Sequence, residues 1–200
     1  MRLLATAAIA ALLAACGQQA TPPAPTETPA PITTPAPVDA NAITAEGWNT
    51  LRVGMTRAEV TAAVGATATP GAVGGPDPAS CDLFRPANAP EGMLVMIQRD
   101  VLTSIILRNN SVLKTDRGFG VGSTAAEIKT AYGASAVSEP HKYVEGAEYI
   151  TIWSVGGPTA AAPFVEDANA RGIRYETNAQ GIVTAVHAGG PSIQNVEGCS

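Results

Sequence analysis

Three cysteines and two histidines are the scarce reactive side chains of this 200-residue sequence, so any covalent, metal or acid–base chemistry starts with them. Cys16, Cys81 and Cys199 form no Cys-x-x-Cys pair. The chain has no Gly-x-Ser-x-Gly turn for a nucleophile, no Gly-x-x-x-x-Gly-Lys loop for phosphate and no His-Glu-x-x-His for zinc. His141 lies close in sequence to Glu139, Glu145 and Glu148. On a helix, His141, Glu145 and Glu148 would share one face as zinc or calcium ligands do. Pro140 and Gly146 argue for a loop instead, so the expectation is a solvated acidic turn leading into a strand. His187 closes a strand-like run before Ala188-Gly189-Gly190-Pro191 and reads as a hydrogen-bonding group at a sheet end. No catalytic residue, metal ligand or cofactor is therefore expected, and a hydrolase centred on His141 is a remote alternative.

Aromatic placement points to binding. In Tyr149-Ile150-Thr151-Ile152-Trp153 the two-residue period of a strand sends Tyr149, Thr151 and Trp153 to one face and both isoleucines to the other. The isoleucines suit a helix-covered side, which leaves an aromatic face opposite, and Tyr175 on a neighbouring strand is expected to join it. Tyr and Trp anchor protein partners or stack on sugars.

The N-terminus carries an address. One positive charge at Arg2 precedes residues 3–15, whose only polar member is Thr6. At ~1.5 Å per residue this run spans roughly 20 Å, short of the ~30 Å hydrocarbon core, so it reads as an export signal and not as a transmembrane helix. Leu13-Ala14-Ala15-Cys16-Gly17 resembles the lipobox of bacterial lipoproteins. The resemblance implies cleavage before Cys16 and lipid on its thiol, hence attachment to a membrane. Gly17, where Asp would favour inner-membrane retention, implies the outer membrane, facing the periplasm. With Cys16 lipidated, Cys81 and Cys199 remain in an oxidising compartment and are expected to pair. The competing role, a reactive thiol, finds no obvious base beside either residue.

Residues 16–45 are expected to be the lipidated cysteine followed by a disordered tether. Its 29 residues after Cys16 include seven Pro, six Thr and seven Ala, with only Glu27 and Asp39 charged. Such a composition buries too little apolar surface to offset the entropy of ordering. Over the whole chain 12 basic and 17 acidic residues leave a net charge of −5. That balance excludes a nucleic-acid partner, which demands a basic footprint.

The globular part is organised by a duplicated helix start. Residues 53–65 and 121–133 align at a constant offset of 68 with seven of thirteen positions identical. In each, a threonine (Thr56, Thr124) stands three residues before a glutamate (Glu59, Glu127), the pattern of a capping box. Val60, Ala63 and Val64 form one apolar stripe, as do Ile128, Ala131 and Tyr132. Gly65 and Gly133 then end helices too short to stand alone. Strands are expected at 93–98, 101–108, 149–155, 172–178 and 182–187, with loops at 66–80, 85–92, 134–148 and 156–171. The predicted fold is α+β: two tandem repeats, 46–112 and 113–200, each a short capped helix packed on an antiparallel β-sheet.

The Gly-Met-Thr-Arg-Ala-Glu-Val start at 54–60, closed by Gly65, resembles the SmpA/BamE-like lipoproteins of outer-membrane assembly, and the tandem arrangement resembles the β-lactamase-inhibitory-protein-like fold. Gly120 to Gly133, Glu139-Pro140-His141-Lys142-Tyr143 and Glu197-Gly198-Cys199 are also similar to uncharacterised proteobacterial lipoproteins. These resemblances imply a non-catalytic protein-binding module, either an envelope accessory or an inhibitor of a secreted enzyme. The alternative is a binder of peptidoglycan or another glycan through the aromatic face.

Overall fold

Apolar and alternating runs between residues 81 and 189 supply most strands of a seven-stranded sheet among the described residues. The computed structural model describes residues 39–68 and 74–199, all within the unit that begins at Pro37. The expected signal segment, Cys16 and the expected tether up to residue 38 lie outside the described residues. Among the described residues no helix is long and apolar enough to cross a membrane.

Among the described residues ten strands and two α-helices follow in order: β1 (Ile43–Thr44), β2 (Gly47–Trp48), β3 (Leu51–Arg52), α1 (Arg57–Val64), β4 (Cys81–Phe84), β5 (Met93–Gln98), β6 (Val101–Arg108), α2 (Ala125–Tyr132), β7 (Val137–Pro140), β8 (Glu148–Val155), β9 (Arg171–Thr177) and β10 (Val183–Gly189). The fold is mixed helix and sheet. β1–β3 form a small antiparallel sheet, and the large one has the order β4-β5-β6-β10-β9-β8-β7, antiparallel throughout. Strands from both halves of the chain therefore share one sheet, joined through β6 and β10, instead of forming one sheet per half. Arg99 and Asp100, both at positive φ, make the two-residue turn between β5 and β6 whose backbone twist suits a hairpin.

The two helix starts are built alike. Glu59 N–H donates to the Thr56 hydroxyl (3.3 Å), and Thr56 N–H donates back to the Glu59 carboxylate (2.7 Å). The same pair of bonds joins Thr124 and Glu127 at 3.2 and 3.0 Å. The threonine backbone N–H, and after it the hydroxyl, holds each glutamate below the usual carboxylate range. The segment before each helix docks on an equivalent strand: Gly54 N–H donates to Leu102 O (2.8 Å) and Gly122 N–H to Val183 O (2.9 Å). Thr56 bridges Val101, and Thr124 bridges Ile182. Val60 and Ile128 are both fully buried, each stabilising its helix by ~1.5–3 kcal/mol of apolar burial. Ala63 and Ala131, expected in the stripes, face solvent, because two turns of helix touch the sheet along a narrow line only.

The helix-side core contains Val95, Ile105, Leu107, Val186, Ile150 and Tyr175, and the small sheet adds Ile43, Trp48 and Leu51. Ile43 belongs to the segment expected as tether. Its β-branched side chain is fully buried and it pairs with Trp48, so the folded part begins before residue 46. β7 lies inside the expected loop 134–148; its four residues are all exposed and carry no apolar alternation to announce them.

On the opposite face Leu83, Leu94, Met96 and Ile106 form a second, smaller cluster, completed by Cys199. The Cys81–Cys199 disulfide is present across a separation of 118 residues, with 5.4 Å between the Cα atoms. It fastens the end of the C-terminal segment over this face.

Candidate functional site

Strand register places a set of polar side chains on the face that the helices leave open. One row runs Ile106, His187, Arg174, Thr151 from β6 through β10 and β9 to β8, and the next runs Arg108, Ala185, Glu176, Tyr149. The C-terminal segment crosses these rows. Its 3-10 turn, Pro191–Gln194, buries Ile193 completely. Gln194 is tied to the 156–170 loop: Val165 N–H donates to its Oε1 (3.0 Å), and its Nε2 donates to Val165 O (2.9 Å).

Both histidines converge on Glu176. His141 enters from the loop between β7 and β8, and its side chain is almost buried. Its Nδ1 accepts from the backbone N–H groups of Tyr143 (3.0 Å) and Val144 (3.1 Å). In the neutral ring the proton therefore sits on Nε2, which lies 3.1 Å from Glu176 Oε1 and donates to it. His187 Nε2 stands 3.6 Å from the other carboxylate oxygen. The adjacent His187 ring, with His141 behind it, draws Glu176 down to about 2 against the opposing effect of burial. Burial, in turn, pushes His187 below its ordinary value despite the nearby carboxylate. His141 is thus not a solvated turn residue, and His187 is a mid-sheet group within β10. The three glutamates near His141 in sequence are not its partners; the carboxylate comes from β9.

This cluster stacks a tower of side chains. The His141 ring lies on Tyr149 at 4.5 Å between centroids, and the Arg174 guanidinium packs on Tyr149 at 3.6 Å from its centroid. Arg174 is only 5% exposed. One Nη donates to Ile193 O (2.9 Å), and no carboxylate lies within 4 Å of its nitrogens among the described residues. Arg174 opens onto a pocket of about 260 Å³ walled by Tyr149, Trp153, Phe164, Pro158 and Pro163. Phe164 is half exposed. On the other side of the C-terminal segment a pocket of about 370 Å³ is lined by Arg108, Glu176, His187 and Asn195.

The expected aromatic face is therefore redistributed. Ile150 and Ile152 do pack into the helix-side core, and Tyr149 and Trp153 do face the other way and share a pocket. Tyr149, however, is buried beneath His141 and Arg174. Tyr175 pairs with Ile150 and so points to the helix side, where it is fully buried and donates to Thr115 Oγ1 (3.2 Å). It belongs to the core and not to the pocket. Alternation along Ile173-Arg174-Tyr175-Glu176 carries this information, since it opposes Ile173 and Tyr175 to Arg174 and Glu176.

Chemically the site positions and holds. Both nitrogens of His141 are committed, Glu176 is kept ionised, and no hydroxyl or thiol is hydrogen-bonded to either histidine among the described residues. Nor does any group of three or more His, Cys, Asp or Glu there have metal-holding geometry. The tower fixes Tyr149 and Arg174 as the floor of an aromatic pocket. Comparison of the chain with known protein families, curated proteins and solved structures finds no match.

Proposed function

We propose that the chain is a lipid-anchored lipoprotein of the outer membrane, facing the periplasm, whose domain binds a protein partner without catalysing a reaction, as an envelope accessory or an inhibitor of a secreted enzyme. Leu13-Ala14-Ala15-Cys16 supports the anchor, and the Cys81–Cys199 bond fits an oxidising compartment. The matching cap and bridge contacts of Thr56 and Thr124 support two tandem repeats as the origin of the fold. The observation that carries protein binding is the pocket beside Trp153 and Phe164, with its floor locked by the His141–Tyr149–Arg174 stack. Rigid aromatic groups at a pocket mouth provide contact area at low entropic cost, as in the hot spots of protein interfaces.

The test has two parts. Full-length protein is cross-linked in native envelopes, and the protein species captured by the wild type should be lost from Trp153→Ala and Phe164→Ala while Val112→Ala, at an exposed residue that lines none of these pockets, retains it. Sedimentation with purified peptidoglycan sacculi that depends on Trp153, with no Trp153-dependent protein capture, would transfer the function to glycan binding. Cys16→Ser should release the chain from carbonate-washed membranes, and retention there would refute the lipid anchor.

A further inference from the structure

We infer that the Trp153–Phe164 pocket recognises a carboxylate carried beside an apolar side chain of a polypeptide partner, with Arg174 as the group that binds the charge. The inference rests on the protein-binding proposal and names the chemistry the partner must present. A guanidinium removed from water is costly unless a counter-charge or a full set of acceptors meets it. Arg174 is 5% exposed, yet among the described residues its only hydrogen-bond acceptor is the Ile193 carbonyl. The nearest acidic group on its own strand, Glu176, is turned to the two histidines. The face of the guanidinium is occupied by Tyr149, so what remains for a ligand is the edge, a fork of N–H donors. That fork matches the two oxygens of a carboxylate.

Pocket size and charge narrow the class. About 260 Å³ lies below the ~300–1,000 Å³ typical of cofactor and small-molecule sites; it suits one residue-sized group. Trp153, Phe164, Pro158 and Pro163 supply an apolar wall for the carbon skeleton beside the charge. Glu139 also lines the pocket and repels a second negative charge, which favours a monoanionic carboxylate over a phosphate dianion. The carboxylate can come from a free chain end or from an Asp or Glu side chain of the partner.

Titration of the full-length, isotope-labelled chain in detergent micelles tests this by nuclear magnetic resonance. Phenylacetate should shift the Trp153 indole N–H and the Arg174 Nε–H saturably, whereas phenylacetamide, identical in shape but uncharged, should bind at least about tenfold more weakly. The ligand pair carries the test in the unaltered protein, so it survives if Arg174→Met fails to fold. Inorganic phosphate should leave both signals in place. Ala-Ala-Phe with a free C-terminus against its amide, and N-acetyl-Asp-Phe amide, then separate the chain-end source from the side-chain source. Equal binding of phenylacetate and phenylacetamide, or no shift at either reporter, overturns carboxylate recognition while leaving Trp153-dependent protein capture standing. Phenylacetate binding without any Trp153-dependent capture would instead sink the protein-binding proposal and, with it, the polypeptide source of the ligand, while leaving carboxylate recognition by Arg174 standing.

Discussion

Removing the Cys81–Cys199 bond separates what the disulfide contributes from what the C-terminal segment contributes by itself. The bond spans 118 residues, and closing a loop of that length in the unfolded chain is worth ~5 kcal/mol in the chain-entropy model, with measured values typically ~2–4 kcal/mol. Cys199 also covers Leu83, Leu94, Met96 and Ile106, so Cys199→Ala removes a buried sulfur as well as the cross-link. Against this, the segment has anchors upstream of the cysteine: Ile193 is fully buried, its carbonyl accepts from Arg174, and Gln194 is bonded to Val165. The expected loss is therefore ~3–4 kcal/mol, and at ~2–4 °C per kcal/mol for a domain of this size the melting temperature should fall by roughly 6–16 °C. Circular dichroism melts of wild type with and without reductant, and of Cys199→Ala, measure it. Hydrogen exchange should show lost protection at 195–199 but retained protection at Ile193. Coincident melts of the three samples would refute the loop-entropy argument, and protection lost through Ile193 would refute the independent anchoring.

Three further outcomes are expected. Thr124→Ala and Thr56→Ala should each cost ~0.5–2 kcal/mol in urea unfolding, by similar amounts, because the two caps have the same geometry. Stability should fall on acidification in two stages. Below its ordinary value near 6.5, His187 takes up a proton in the unfolded chain before it does in the fold. As the pH drops from 4.5 towards 2, the stabilisation from ionised Glu176 is lost, a contribution of ~2 kcal/mol after discounting its partial exposure. His187→Gln should flatten the first stage in urea midpoints measured from neutral pH downward. Gly92→Ala should destabilise by ~2–4 kcal/mol in the same assay, since Gly92 has φ +75° and an added Cβ would stand 2.3 Å from Arg108 O.

Local patterns in the sequence locate the helices and five of the strands. Thr56 and Glu59, like Thr124 and Glu127, sit at the spacing that satisfies helix-start donors whatever the surroundings, so both helices begin where the pattern says. The apolar run 93–97 and the apolar and β-branched residues of 101–107, separated by the Arg99-Asp100 turn, make β5 and β6 legible to the residue. Short elements escape. Val137-Ser138-Glu139-Pro140 has no period to detect and becomes β7 by pairing with β8, and Ile43 is drawn from an apparent tether by a pocket in the core.

The candidate site divides along the same physical line. By itself the sequence determined properties set within a few residues: the capping boxes and the alternation that opposes Tyr149 and Trp153 to Ile150 and Ile152. Tertiary structure alone decided which side chains meet across β8, β9 and β10, because that depends on register between residues far apart in the chain. It brought His141 and His187 to Glu176 across 35 and 11 positions, and laid the C-terminal segment over Arg174. Such contacts arise from burial and hydrogen bonding between segments whose mutual placement no local spacing encodes.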